Sequence, residues 1–182
     1  MSVRTASDRA TALERILLNF FAALVILLML AIALQVASNL LDINPLARFS
    51  QDLFWLGQAI TLNSLLDLQW HLLAIIALLP AGIVWLRDGH VRVDFLYNRY
   101  SVKGRQTVDL AGNLIFAAPF FVMAIPGSYA FWLRSWRSGE GSANGGLNDL
   151  WLIKLVLPLG LSLLALAAAI ESIRLLRALV RK

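Results

Sequence analysis

The chain contains no cysteine. That absence excludes a disulfide framework, a cysteine zinc site, an iron–sulfur cluster and a cysteine nucleophile. Charge is also scarce, at 15% of residues, where an average soluble domain carries about 25%. There are two histidines. Neither a Gly-x-x-x-x-Gly-Lys phosphate loop nor a Gly-x-Ser-x-Gly elbow occurs. Apolar side chains take the room instead, at 59% of 182 residues, above the usual 45–50% or so. So much apolar surface excludes a disordered chain. The length fits one domain.

The apolar residues are gathered into runs. A bilayer core about 30 Å thick needs about 20 of them in one helix, and four stretches qualify. They cover residues 16–38, 68–86, 108–133 and 150–176. The first is interrupted only by Asn19 and Gln35. Pro80, Pro119, Pro126 and Pro158 lie inside the others, where neighbouring helices can cover the freed carbonyls, so kinks rather than breaks are expected. The fold class is thus an all-α integral membrane protein, a single domain over residues 1–182 with four transmembrane helices. Val36-Ala37-Ser38 looks like a small-residue cleavage site, but the run before it exceeds the 7–15 or so apolar residues of a signal peptide. An uncleaved anchor is expected.

Twelve of the sixteen basic residues fall on one side of such a four-span chain. They are Arg4, Arg9 and Arg15 before the first span, Arg87, Arg92, Arg99, Lys103 and Arg105 between the second and third, and Arg174, Arg177, Arg181 and Lys182 in the tail. Arg48, Arg134, Arg137 and Lys154 fall on the other. The positive-inside rule then places both termini in the cytoplasm. Tryptophan prefers the headgroup level, and Trp70, Trp132, Trp136 and Trp151 sit at the outer ends of spans, with Trp85 at an inner end. In the first outer loop Phe49, Leu53, Leu56 and Ile60 recur at helical spacing between polar residues. That pattern predicts a short amphipathic helix lying in the interface or on a protein neighbour. The second outer loop, residues 135–149, is rich in glycine and reads as an irregular turn.

An ionisable residue inside the membrane is a functional candidate by default. The first span has none. His71 is near the outer end of the second, Asp109 at the inner edge of the third, and Lys154 and Glu171 near opposite ends of the fourth. Lys154 can snorkel outward. Glu171 and Arg174 are spaced for an exposed i,i+3 pair. No carboxylate lies at mid-depth. His71 and His90 are 19 positions apart, about 28 Å along a continuous helix, so no haem or metal is expected between them; His90 alone could supply one ligand, a loop hydrogen bond being the commoner use. No cofactor or metal site is expected, and no enzymatic constellation is visible. The basic loop 87–105 has aromatic neighbours, yet positive-inside placement beside anionic lipid explains it without nucleic acid.

Two stretches say more. The second span leads into Arg87-Asp88-Gly89-His90-Val91-Arg92-Val93-Asp94. The second outer loop holds Ser138-Gly139-Glu140-Gly141-Ser142, then Gly145-Gly146-Leu147, then Trp151-Leu152-Ile153-Lys154. Their order and placement resemble the small membrane subunit of tripartite ATP-independent periplasmic (TRAP) transporters, the DctQ-like family. Asn148 stands where related sequences often have proline, and Glu171 near where glutamine is common. The resemblance implies a scaffold subunit in a bacterial inner membrane. It implies two protein partners, a large membrane subunit and a periplasmic substrate-binding protein, and sodium-coupled uptake of a small organic solute such as a carboxylate. It implies a structural or partner-contact role for Gly89, His90, Arg92 and Asp94, Gly89 permitting a turn after the helix. The matching outer-loop residues are Gly139, Glu140, Gly145, Gly146, Trp151 and Lys154. Two alternatives stand beside it. One is a self-sufficient four-helix transporter acting as a homodimer, with Glu171 as its only candidate carboxylate. The other is a membrane redox subunit.

Overall fold

A computed structural model describes residues 12–91, 95 and 97–180. Helix α1 covers Ala12–Leu40. Strands β1 (Ala47–Leu53) and β2 (Gly57–Ile60) follow, then helices α2 (Leu62–Leu78) and α3 (Ala81–Leu86). After a single 3-10 turn at Tyr97–Arg99 come α4 (Val102–Gly112), a π-helical turn (Asn113–Ala117) and α5 (Ala118–Ser138). The short α6 (Trp151–Lys154) leads into α7 (Val156–Val180). Four helical stretches are long and apolar enough to cross a membrane: Arg15–Leu40, Leu62–Leu86, Val102–Ser138 and Trp151–Val180. The four expected spans are therefore present, each extended by polar turns that a hydropathy reading leaves out.

The prolines act in different ways. A proline ring clashes with the carbonyl four residues back and removes one hydrogen bond. At Pro80 residues 79 and 80 drop out of the regular helix, although Pro80 keeps right-handed dihedrals, φ −79° and ψ −8°, a short interruption where a kink was expected. The helix resumes with Ile83 and Val84 N–H both donating to the Pro80 carbonyl. At Pro119 the chain widens beforehand, with the Ala118 N–H bonding back to the Asn113 carbonyl across the π-helical turn. That shifts the Ile115 carbonyl, which the Pro119 ring would otherwise strike. Pro126 is carried inside α5 without a break.

The expected amphipathic helix at residues 49–60 is not formed. The segment is an antiparallel ribbon instead, pairing Ala47 with Ile60, Arg48 with Ala59 and Leu53 with Gly57. Trp55 and Gly57 both have positive φ, 67° and 71°, which ends any right-handed helix there. A four-residue apolar stripe over twelve positions fits a twisted ribbon as well as a helix. Here long-range hydrogen bonds decide between the two: the Asn148 N–H donates to the Trp55 carbonyl at 2.8 Å.

Contacts divide the chain into two compact units. The first comprises the chain up to Ile76 together with Gly141–Asn148. Its interior holds Ala31, Leu65, His71, Leu72 and Leu147, the last only 2% exposed. Within it the Gln69 amide donates to Gln35 Oε1 at 2.7 Å and to the Ala31 carbonyl at 3.3 Å. This amide pair ties α1 to α2 where the surrounding residues are apolar. The second unit comprises Ala77–Glu140 and Asp149 onward. There α3, α4 and α5 pack along α7, around Phe121, Ala167, Ala168 and Leu175. Small residues allow the close approach. A Cβ at Gly82 would stand 2.8 Å from the Leu163 carbonyl oxygen, and one at Gly160 2.8 Å from Leu78 Cβ.

Candidate functional site

Loop 87–101 is organised from the end of α3. The Asp88 N–H donates to the Trp85 carbonyl at 3.0 Å and the Gly89 N–H to that of Val84 at 2.9 Å. This is a Schellman-type stop. Its left-handed residue is Asp88, with φ 56°, a conformation that a short polar side chain tolerates. The turn expected at Gly89 is thus made one residue earlier. Gly89 serves differently, since a Cβ there would press on Val84 Cγ1 at 3.1 Å. The exposed His90 ring stands edge-on to Trp85, centroids 5.8 Å apart. Arg92 and Asp94 lie outside the described residues. Further on, the Tyr97 hydroxyl donates to Asp109 Oδ2 at 2.6 Å. Arg105 lies over the Tyr97 ring and donates to the Asn98 and Tyr100 carbonyls. Ser101 caps α4 by accepting the Gly104 N–H at 3.2 Å.

Loop 139–150 begins with a second Schellman stop. Gly139 is left-handed at φ 58°. Its N–H donates to the Trp136 carbonyl and that of Glu140 to the Ser135 carbonyl. The stop places Glu140 against Lys154, and the two form an ion pair, with side chains 40% and 17% exposed. The Lys154 ammonium also lies 4.4 Å from the centroid of the Phe131 ring, a cation–π contact. The ammonium holds the Glu140 carboxyl below its ordinary value near 4.5. The neighbouring Ser135 hydroxyl adds to this, although it meets no hydrogen-bond geometry. Trp151 packs edge-on against Trp136, centroids 4.3 Å apart, and donates its indole N–H to Asp149. Gly139, Glu140, Trp151 and Lys154 are thus brought together in the second unit.

Gly145 and Gly146 belong to the first unit. The Gly145 carbonyl accepts from the Thr61 hydroxyl at 3.0 Å and that of Asn144 from the Asn63 amide at 2.6 Å. The Leu147 N–H donates to Asp67 Oδ2 at 3.0 Å. A side chain at Gly146 would collide with that same Asp67 carboxylate. His71 is buried, its Nδ1 on the Asp67 carbonyl and its ring edge-on to Trp55.

Thr61, Asn63 and Asp67, which hold this loop, were not singled out by sequence reasoning. Their only signal was a polar stretch preceding an apolar run. Another charged pair is Glu171 with Arg174, at 3.8 Å on one helix, as the spacing implied. Of the tryptophans, Trp70 and Trp136 are well exposed, at 64% and 51%, and Trp85, Trp132 and Trp151 are half-buried.

Four membrane-length helices, with polar side chains tying loops to helices, define a multi-pass membrane protein. A family model described as tripartite ATP-independent periplasmic transporters, DctQ component, matches residues 55–178. The chain belongs to that family, whose members are components of a transporter and not enzymes. Comparison with curated proteins gives no match.

Proposed function

We propose that this chain is the scaffold subunit of a sodium-coupled importer in a bacterial inner membrane, with both termini in the cytoplasm. It packs on the fixed part of a large membrane subunit and holds it still while another part slides. A periplasmic binding protein delivers the solute, a small organic molecule such as a carboxylate. Trp70, Trp85, Trp132, Trp136 and Trp151 anchor the helix ends at the headgroups. Gly89, His90, Arg92 and Asp94 shape the cytoplasmic loop or touch the partner.

The observation that supports this reading is how the carboxylates and the lysine at the helix ends are engaged. Of the buried ionisable side-chain atoms, His71 Nε2 alone has no partner among the described residues. Lys154 pairs with Glu140, Glu171 with Arg174, Asp109 takes the Tyr97 hydroxyl and Asp67 a loop amide. The amides deeper in the helices pair with each other or a hydroxyl, as Gln69 with Gln35 and Asn113 with Ser172. A group that couples ion movement to transport must instead change partners. Co-expression of the tagged chain with an untagged large subunit tests the scaffold role. The two are expected to purify together in mild detergent at equal amounts. Elution of the chain alone would sink the proposal.

A further inference from the structure

Two contacts between helices set the depth of each residue in the second unit. Trp136 and Trp151 meet with ring centroids 4.3 Å apart, and tryptophan prefers the headgroup level. Asn113 Nδ2 donates to Ser172 Oγ at 3.1 Å. Trp136 is 23 positions from Asn113, and Trp151 is 21 from Ser172. Along nearly continuous helix both distances are about 32–35 Å at 1.5 Å per residue. A hydrocarbon core is about 30 Å thick, so the bond between Asn113 and Ser172 marks its other border.

Helix α7 runs past that border to Val180. Arg174 and Arg177 lie two and five positions beyond Ser172, about 3 and 8 Å. Headgroups add about 5–8 Å on each side of the core, so both arginines fall at headgroup depth. Arg177 is exposed and has no ion pair among the described residues. Arg174, its side chain 62% exposed, is held by Glu171 only at 3.8 Å. Asp109, at similar depth on α4, already accepts the Tyr97 hydroxyl. Over residues 87–109 and 171–182 basic residues outnumber acidic ones by nine to four. Leu159, Leu163, Leu166, Ile173 and Arg177 follow one another at intervals of three, four or seven, so they share one face of α7. The four aliphatic members are 46–58% exposed. That face is apolar through the depth of the core and turns basic at the headgroups.

We infer that this end of α7 binds an anionic phospholipid, of the phosphatidylglycerol class, through Arg174 and Arg177. The lipid phosphate accepts from the two guanidinium groups, and their alkyl stems lie along the apolar face. An acyl chain covers Leu163, Leu166 and Ile173. The excess of basic residues favours an anionic lipid over a zwitterionic one. The occupant is a lipid and not an acidic protein segment, because the arginines stand at headgroup depth and not in the water beyond it. With the termini placed as proposed above, the site faces the cytoplasmic leaflet. Binding itself is independent of the scaffold role.

The full chain, purified and delipidated in mild detergent, is offered phosphatidylglycerol or phosphatidylethanolamine at equal concentration and weighed by native mass spectrometry. Phosphatidylglycerol is expected to be retained about 25-fold better, each of two basic charges near a membrane surface being worth about fivefold. Arg177→Gln is expected to lower that preference about fivefold, and Arg174→Gln combined with it to abolish the preference. Both side chains are exposed, so the fold is kept. Arg177→Lys keeps the charge and should keep the preference. Arg134→Gln, at an exposed position near the opposite end of the unit, should leave it unchanged. Equal retention of the two lipids by the wild-type chain overturns the headgroup assignment. A preference unchanged in the double variant, or lost equally in Arg134→Gln, overturns the site. A photo-crosslinker at Ile173 that captures the co-expressed large subunit and no lipid also overturns it, in favour of a protein occupant.

Discussion

In a helix whose side touches nothing, replacing glycine by alanine stabilises by roughly 0.5–1 kcal/mol, because the glycine loses more freedom on folding. At Gly82 and Gly160 the sign should reverse. The new Cβ at Gly82 would be 2.8 Å from the Leu163 oxygen and 3.2 Å from its carbonyl carbon. At Gly160 it would be 2.8 Å from Leu78 Cβ and 3.0 Å from the Leu78 oxygen. Most of these are backbone atoms, so a side-chain rotation cannot relieve the contact. Restoring ordinary separations of about 3.5–4.0 Å moves α7 away from α2 and α3 by roughly 1 Å. Overpacking of that kind costs about 1–3 kcal/mol. After the propensity gain, each substitution should destabilise by about 0.5–2 kcal/mol. Gly127 has nothing within 4 Å of its Cβ position, so Gly127→Ala should stabilise by about 0.5–1 kcal/mol. Both tight contacts open the same face of α7, so the double variant should cost less than the sum of the singles. Unfolding by SDS in mixed micelles, followed by circular dichroism, measures all four variants. If Gly82→Ala and Gly160→Ala match Gly127→Ala in sign, the close approach of these helices is refuted.

Asn148→Pro removes the N–H that donates to Trp55. Amide exchange across the 47–60 ribbon should then quicken about fivefold or tenfold, the value of one net hydrogen bond; unchanged exchange would show that other contacts hold the ribbon. Because the Glu140 carboxyl lies below its ordinary value, its stabilisation is present above about pH 4.5 and fades as pH falls through the lowered value. With Glu140 40% exposed, Glu140→Gln should cost under about 1 kcal/mol at pH 7 and less as the pH falls below about 4.5, which thermal melts across that range check. Glu171→Ala breaks an exposed pair worth about 0.2–0.5 kcal/mol. Transport should survive it nearly intact, and its loss would favour a coupling role for that carboxylate.

The four spans were legible because twenty apolar residues in a row have few other uses. Their ends were not. Asp67 and Asn63 lower the apolar content of the first turns of α2, yet they are helical because their side chains reach loop 141–148. Likewise α4 starts at Val102, where Ser101 caps it, well before the apolar run begins at Val108. The ribbon was misread as a helix because its deciding partner, Asn148, lies about ninety positions away. The outer-loop motif was recognised as residues but not as a clamp. Nothing in periodicity joins Glu140 to Lys154, because the join depends on a left-handed Gly139 and the path of the loop after it.

The central claim is that this chain supports transport without carrying the solute. Sodium-driven uptake of the binding protein's solute into proteoliposomes measures it most directly, with the large subunit alone, this chain alone, and both together. Uptake only when both are present is the predicted result. Full uptake by the large subunit alone, or any sodium-driven uptake by this chain alone, would contradict the claim.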